Sequence, residues 1–114
     1  MNSNIVINKE DSHQFASLSS DYNPLHLEPV VARRSMFGGT ICHGIHVVFK
    51  SLEVVLQKYE KSRQLSHIRV VFRAPIMTGQ PFQIECKKNI GATLKLNIYV
   101  GLVKALTISA KTFI

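Results

Sequence analysis

Asp21 and His26 stand five residues apart, with Tyr22, Asn23, Pro24 and Leu25 between them. Proline fixes its own φ and cannot prolong a preceding helix, and Ser, Asp and Asn are turn formers. The segment Ser19 to Pro24 therefore turns, and such a turn can point both side chains into one cleft. A carboxylate beside an imidazole can hold and polarise a single water. Histidine titrates at about 6.5, where cells work, so the pair has the chemistry of a general base and a general acid. Asn23 can orient either group by a hydrogen bond. The same residues also suit an ordinary turn in which Asp21 caps backbone N–H groups, and spacing alone does not separate the two readings.

A second group follows at Phe37-Gly38-Gly39-Thr40-Ile41-Cys42-His43-Gly44, just before a helical pattern. Backbone N–H groups in the first turn of a helix are unpaired and carry partial positive charge. Glycine lets a ligand approach that backbone closely. A carbonyl held at Gly44 would have its developing negative charge stabilised, as in an oxyanion hole; the alternative is a loop that merely starts a helix. His43 and His46 are three apart, but no third metal ligand at a suitable spacing accompanies them. Cys42 near a helix start has the setting of a lowered thiol pKa, although a small buried residue is the better reading.

Several elements must position these groups. Asn4 to Ile7 reads as a brief strand. Asn8 with Asp11 three residues on resembles a capping box, with Phe15 and Leu18 on the inward face of the helix that follows. Leu25 to Arg34 has the look of another short helical piece. From about Cys42 to Glu60, apolar residues recur at threes and fours (Ile45, Val48, Phe49, Leu52, Val55, Leu56, Tyr59), predicting a long helix buried around much of its circumference. Lys58, Lys61 and Arg63 complement the negative end of its dipole. Alternating stretches at Ser66–Ala74, Pro81–Lys87, Thr93–Val100 and Ala105–Ile114 predict about four strands, with turns at Lys88–Gly91 and Gly101–Lys104. No helical crossovers separate them, so the sheet is antiparallel. The expected class is α+β, an antiparallel sheet wrapped around one long central helix.

The 114 residues suit a single domain spanning 1–114. At 46% apolar and 18% charged, the composition is globular. No signal peptide is evident at the N-terminus, and no apolar run approaches the roughly 20 residues that span a bilayer. Two cysteines, Cys42 and Cys86, fit free thiols in a reducing compartment. The expectation is a soluble cytoplasmic protein without a membrane partner. The formal charge of +7 attracts anions. Because the Lys and Arg residues are scattered, without an RNA-type motif, a phosphorylated small carrier or an acidic carrier protein fits better than nucleic acid.

Phe15, Ser19, Asp21, Asn23, Pro24, Leu25, His26 and Ala32 together resemble the signature of the MaoC-like, or (R)-specific enoyl-CoA hydratase, family. Met36 to Gly44 is similar to the family's aromatic-Gly loop leading into His-Gly, and Arg69 to Pro81 to its strand-Pro-x-x-x-Gly stretch. The order matches over nearly the whole chain. The resemblance implies a hot-dog fold, a homodimer or higher homo-oligomer, and an acyl tunnel near the subunit interface. It implies that Asp21 and His26 activate water, that Asn23 supports them, and that the Gly44 N–H binds the thioester oxygen. Phe37, Gly39 and His43 are expected to contact the substrate. The reaction would be hydration of a trans-2-enoyl thioester, or its reversal. No metal or cofactor is expected beyond the coenzyme A or acyl carrier protein that belongs to the substrate.

Some positions depart from the pattern. Ser20 stands where Gly or Glu is frequent. The helix serine of some relatives falls at Leu52, with Ser51 one position earlier. His46 and Lys50 replace small or apolar residues, Glu53 being a candidate partner for Lys50. These polar residues favour the main alternative, a non-catalytic hot-dog module that binds an acyl chain or completes a heterodimer. A nucleic-acid binder would instead rest on charge alone.

Overall fold

The computed structural model describes residues 4–58 and 65–112. Four helices precede four strands: α1 (Lys9–Ser19), α2 (Pro24–Leu27), α3 (Pro29–Arg33), α4 (Gly44–Lys58), β1 (Leu65–Phe72), β2 (Gln83–Ile90), β3 (Thr93–Val100) and β4 (Val103–Thr112). All pairings are antiparallel, in the order β1-β4-β3-β2. The central helix against an antiparallel sheet is the hot-dog architecture expected from the sequence.

The capping box forms as its residues predict. The Asp11 N–H donates to Asn8 Oδ1 at 2.8 Å and the Asn8 N–H to Asp11 Oδ2 at 3.0 Å, satisfying donors that a helix start leaves unpaired. Asn4–Ile7 is less than a strand: Ile5 alone bridges to Phe82. Pro24 opens α2 rather than only closing α1, because the first helical position needs no N–H. Pro29 likewise opens α3, so the expected single piece is two short helices. The predicted turn at Lys88–Gly91 shrinks to two residues, since pairing continues to Ile90 opposite Thr93. Gly91, at φ +58°, supplies the left-handed backbone there.

Val47, Val48, Leu52 and Val55 of α4 pack in one cluster with Ile84, Leu94, Leu96, Ile98, Leu106 and Ile108 of the sheet. This is the core, and it fixes the direction of α4. The helix is not buried all round, however. Ile45 and Phe49 are exposed, so its stripe is narrower than apolar content suggested. Tyr59, Glu60, Lys61, Arg63 and Ile114 lie outside the described residues. Strand β1 sits at the sheet edge, and Ile68, Val71 and Phe72 on it are exposed. Among the described residues, no helix is long and apolar enough to cross a membrane.

Candidate active site

Helix α1 ends on Ser20, held left-handed at φ 63° and ψ 19°, with its N–H bonded to the Ala16 carbonyl at 2.8 Å. This reversal is the common way to close a helix, though usually with glycine. Two side-chain turns follow at once. The Asn23 N–H donates to Asp21 Oδ1 at 3.2 Å, and the Leu25 N–H to Asn23 Oδ1 at 3.0 Å. Each is the turn that Asp and Asn favour, and the second caps α2. Asn23 thus meets Asp21 through its main-chain N–H, and its side-chain oxygen caps α2.

His26 lies on the last turn of α2. Its Nδ1 is 2.8 Å from the Ile41 carbonyl. A carbonyl can only accept, so Nδ1 carries the proton, and neutral His26 presents Nε2 as a lone pair. That lone pair faces Asp21: Nε2 is 3.9 Å from Oδ2. The His26 side chain is 14% exposed and that of Asp21 51%. The distance exceeds a direct hydrogen bond, yet both atoms can reach one oxygen at about 2.8 Å.

The Gly-rich segment is threaded between two partners. The Ile41 N–H donates to the Leu25 carbonyl at 3.0 Å and the Cys42 N–H to the Ile76 carbonyl at 2.8 Å. Behind them opens a cavity of about 340 Å3, lined by His26, Phe37, Ile41, Gly44, Val47 and Phe72 among others. Gly44 starts α4 and lines the cavity; its N–H has no acceptor among the described residues. A Cβ there would meet the Phe72 ring at 2.7 Å, so any larger residue must displace that half-exposed ring. Phe37 lines the cavity.

Asp21, Asn23, Gly39 and His43 are not among its lining residues; Asp21 lies beside it, across from His26. Gly39 packs instead against Met77, whose Cε would lie 3.0 Å from an added Cβ. His43 is 2% exposed, pulled behind His26 by a bond from its Nε2–H to the Asp21 carbonyl at 3.0 Å. Ser51, near the helix serine of some relatives, is wholly buried and away from the cavity. Cys42 is buried, and burial raises its thiol to about 11, which leaves it an inert packing residue.

Asp21, His26 and His43 each bring a ligand-type atom within 4.8 Å of the others. The His26 and His43 rings stack at 4.1 Å and 26°, so their in-plane lone pairs run side by side rather than converging on one ion. His46 is not part of this group. It lies flat against Phe15 at 4.4 Å and 6°. Burial lowers its pKa, with further lowering from His43, opposition from Asp11 and a smaller lowering from Lys50. No ion pair joins Lys50 to Glu53.

Comparison with known proteins places the chain by family and fold. Residues 2–108 match the family model described as MaoC like domain. The mouse peroxisomal multifunctional enzyme type 2 is 32% identical over 109 residues, covering 83% of this chain and 15% of that protein. The Arabidopsis thaliana mitochondrial 3-hydroxyacyl-[acyl-carrier-protein] dehydratase is 30% identical over 74 residues, 65% of this chain and 44% of that one. The chain thus spans a minor part of these relatives. Among solved structures, the (R)-hydratase from A. caviae superposes with TM-score 0.78 at 23% identity, over 95% of this chain and 88% of that one. The full-length Drosophila melanogaster peroxisomal multifunctional enzyme type 2 does so with TM-score 0.82 at 21% identity, over 97% and 21%. With the match running from residue 2 to residue 108, the chain belongs to the family of MaoC-like domains.

Proposed function

We propose that the chain hydrates trans-2-enoyl thioesters to (R)-3-hydroxyacyl thioesters, or runs the reverse dehydration, with Asp21 and His26 handling the water. The observation that carries this reading is the convergence of Asp21 Oδ2 and His26 Nε2, 3.9 Å apart, where His26 and Gly44 wall one cavity. Family membership and the likeness to an (R)-hydratase support the reaction class.

In this reading the acyl chain enters the cavity and the thioester oxygen meets the Gly44 N–H. One water donates a hydrogen to Nε2 and the other to Oδ2. Its oxygen forms a bond to C3 as Nε2 takes one proton, and the C2–C3 π electrons move toward the thioester as an enolate. The imidazolium then returns that proton to C2. Asp21 holds the remaining O–H and stabilises the transient charge on His26, while the positive end of α4 stabilises the enolate. Water and enoyl thioester thereby account for every atom of the product. The positive net charge suits a phosphorylated carrier.

The exposed edge of β1 supports a homodimer. Its unpaired backbone and its apolar Ile68, Val71 and Phe72 invite a second copy, and Phe72 also borders the cavity. The deciding assay is hydration of crotonyl-CoA and a longer enoyl-CoA by the wild type, Asp21→Asn and His26→Ala. Each substitution should cost at least about 100-fold in rate, the usual scale for a general acid or base. Undiminished activity in both variants refutes the dyad.

A further inference from the structure

His43 has contacts that neither cavity nor core requires. It is 2% exposed and outside the cavity lining, yet it touches both members of the pair. Its Nε2–H donates to the main-chain carbonyl of Asp21 at 3.0 Å. Its ring lies on that of His26, with centroids 4.1 Å apart and planes at 26°. Phe15 also packs against it, tilted, with ring centroids 5.0 Å apart. Its Nδ1 is buried and has no hydrogen-bond partner. A buried nitrogen without a partner destabilises a fold, so an apolar residue would serve packing better.

We propose that His43 is a positioning residue that sets the separation between Asp21 and His26. This rests on the hydratase reading above and adds to it a residue that never meets substrate. The turn carrying Asp21 is short and exposed, and its own bonds are local: Ser19 Oγ accepts from the Asp21 N–H at 3.3 Å, and Asp21 Oδ1 from the Asn23 N–H. Among the described residues, only the bond from His43 ties the Asp21 main chain to the buried start of α4. The Ile41 carbonyl holds the His26 ring at Nδ1, and the face of His43 stacked on that ring buttresses its plane on the far edge, where Nε2 must point at the water. Histidine suits both tasks, because it combines a flat ring with an N–H at its far end. Phenylalanine keeps the face and loses the donor; glutamine keeps a donor and loses the face. Reactive groups misplaced by about 1 Å can cost on the order of 100-fold.

The test is a kinetic cycle on the full chain with crotonyl-CoA, using His43→Phe, His43→Gln, Asp21→Asn and the double variant Asp21→Asn/His43→Phe. Both His43 variants should lose about 10- to 100-fold in kcat with KM within about twofold, since the cavity is untouched. The double variant should be no slower than Asp21→Asn, because His43 acts only through the pair. A purely structural role would make the losses multiply. Unchanged kcat in both His43 variants, a rise in KM alone, multiplying losses, or loss of folding in both variants would each overturn the proposal. An active wild type with indifferent His43 variants removes this inference only; a wild type without hydratase activity removes the reading beneath it.

Discussion

Placing one methyl group on Gly44 tests the link between the helix start and the cavity. Gly44 is not in the left-handed region, so alanine fits the backbone and gains up to about 1 kcal/mol of helix propensity. Its Cβ, however, would lie 2.7 Å from Phe72 Cε1, where carbon atoms normally sit about 3.5–4.0 Å apart. The ring must retreat by about 1 Å. Held in place, it would cost about 1–3 kcal/mol of overpacking. Phe72 is 55% exposed and can swing outward, so the expected net change in stability is within about 1 kcal/mol. Activity should respond far more. The methyl keeps the N–H assigned to the thioester oxygen but stands in the oxygen's approach, and a contact blocked in this way is equivalent to a lost donor, which costs about 100- to 1,000-fold in kcat. Gly44→Ala is therefore expected to melt close to wild type and to hydrate crotonyl-CoA at 1% or less of its rate, on the order of that loss. Gly44→Ala/Phe72→Ala removes the clash and should stay slow. Wild-type turnover in Gly44→Ala would refute the assignment of that N–H. Recovery in the double variant would show that Phe72, not the carbonyl contact, carries the effect.

Three other outcomes follow from the structure. Ser51 is wholly buried in α4 with a hydroxyl that has no partner. Ser51→Ala should gain about 1 kcal/mol from removing it and from helix propensity, read as a higher melting temperature. His46 has a folded pKa below its usual 6.5, chiefly through burial. The unfolded chain then binds more protons, so this group's contribution to stability is full above about pH 6.5 and declines as pH falls toward the depressed value. His46→Leu should accordingly flatten the fall in melting temperature between about pH 7 and about pH 5; parallel curves for variant and wild type would contradict the burial argument. Ile68→Asp puts a charge on the exposed edge of β1. If that edge pairs two copies, the variant should run as a monomer in light scattering where wild type runs as a dimer.

Much of this protein is local, and local physics is legible in a sequence. The Asn8–Asp11 box, the consecutive turns at Asp21 and Asn23, and the helix start at Gly44 each use bonds between residues two or three apart or the properties of a single residue. The bounds of β3 and the inward face of Leu94, Leu96 and Ile98 were readable, because side chains on a strand alternate between faces; Asn97 is buried on the opposite face as well. Tertiary structure decided what depends on residues far apart. Phe72 lies against Gly44 across 28 positions, and His43 reaches Asp21 across 22, so no spacing rule reveals either contact. The same holds for the narrow apolar stripe of α4: periodicity counts apolar residues, whereas the width of the buried face depends on how far the sheet curls around the helix. His43 was expected to contact substrate because the resemblance puts it in the His-Gly loop that leads into the helix. Its side chain turns away because the Asp21 carbonyl, delivered from the end of α1, offers its Nε2–H an acceptor inside.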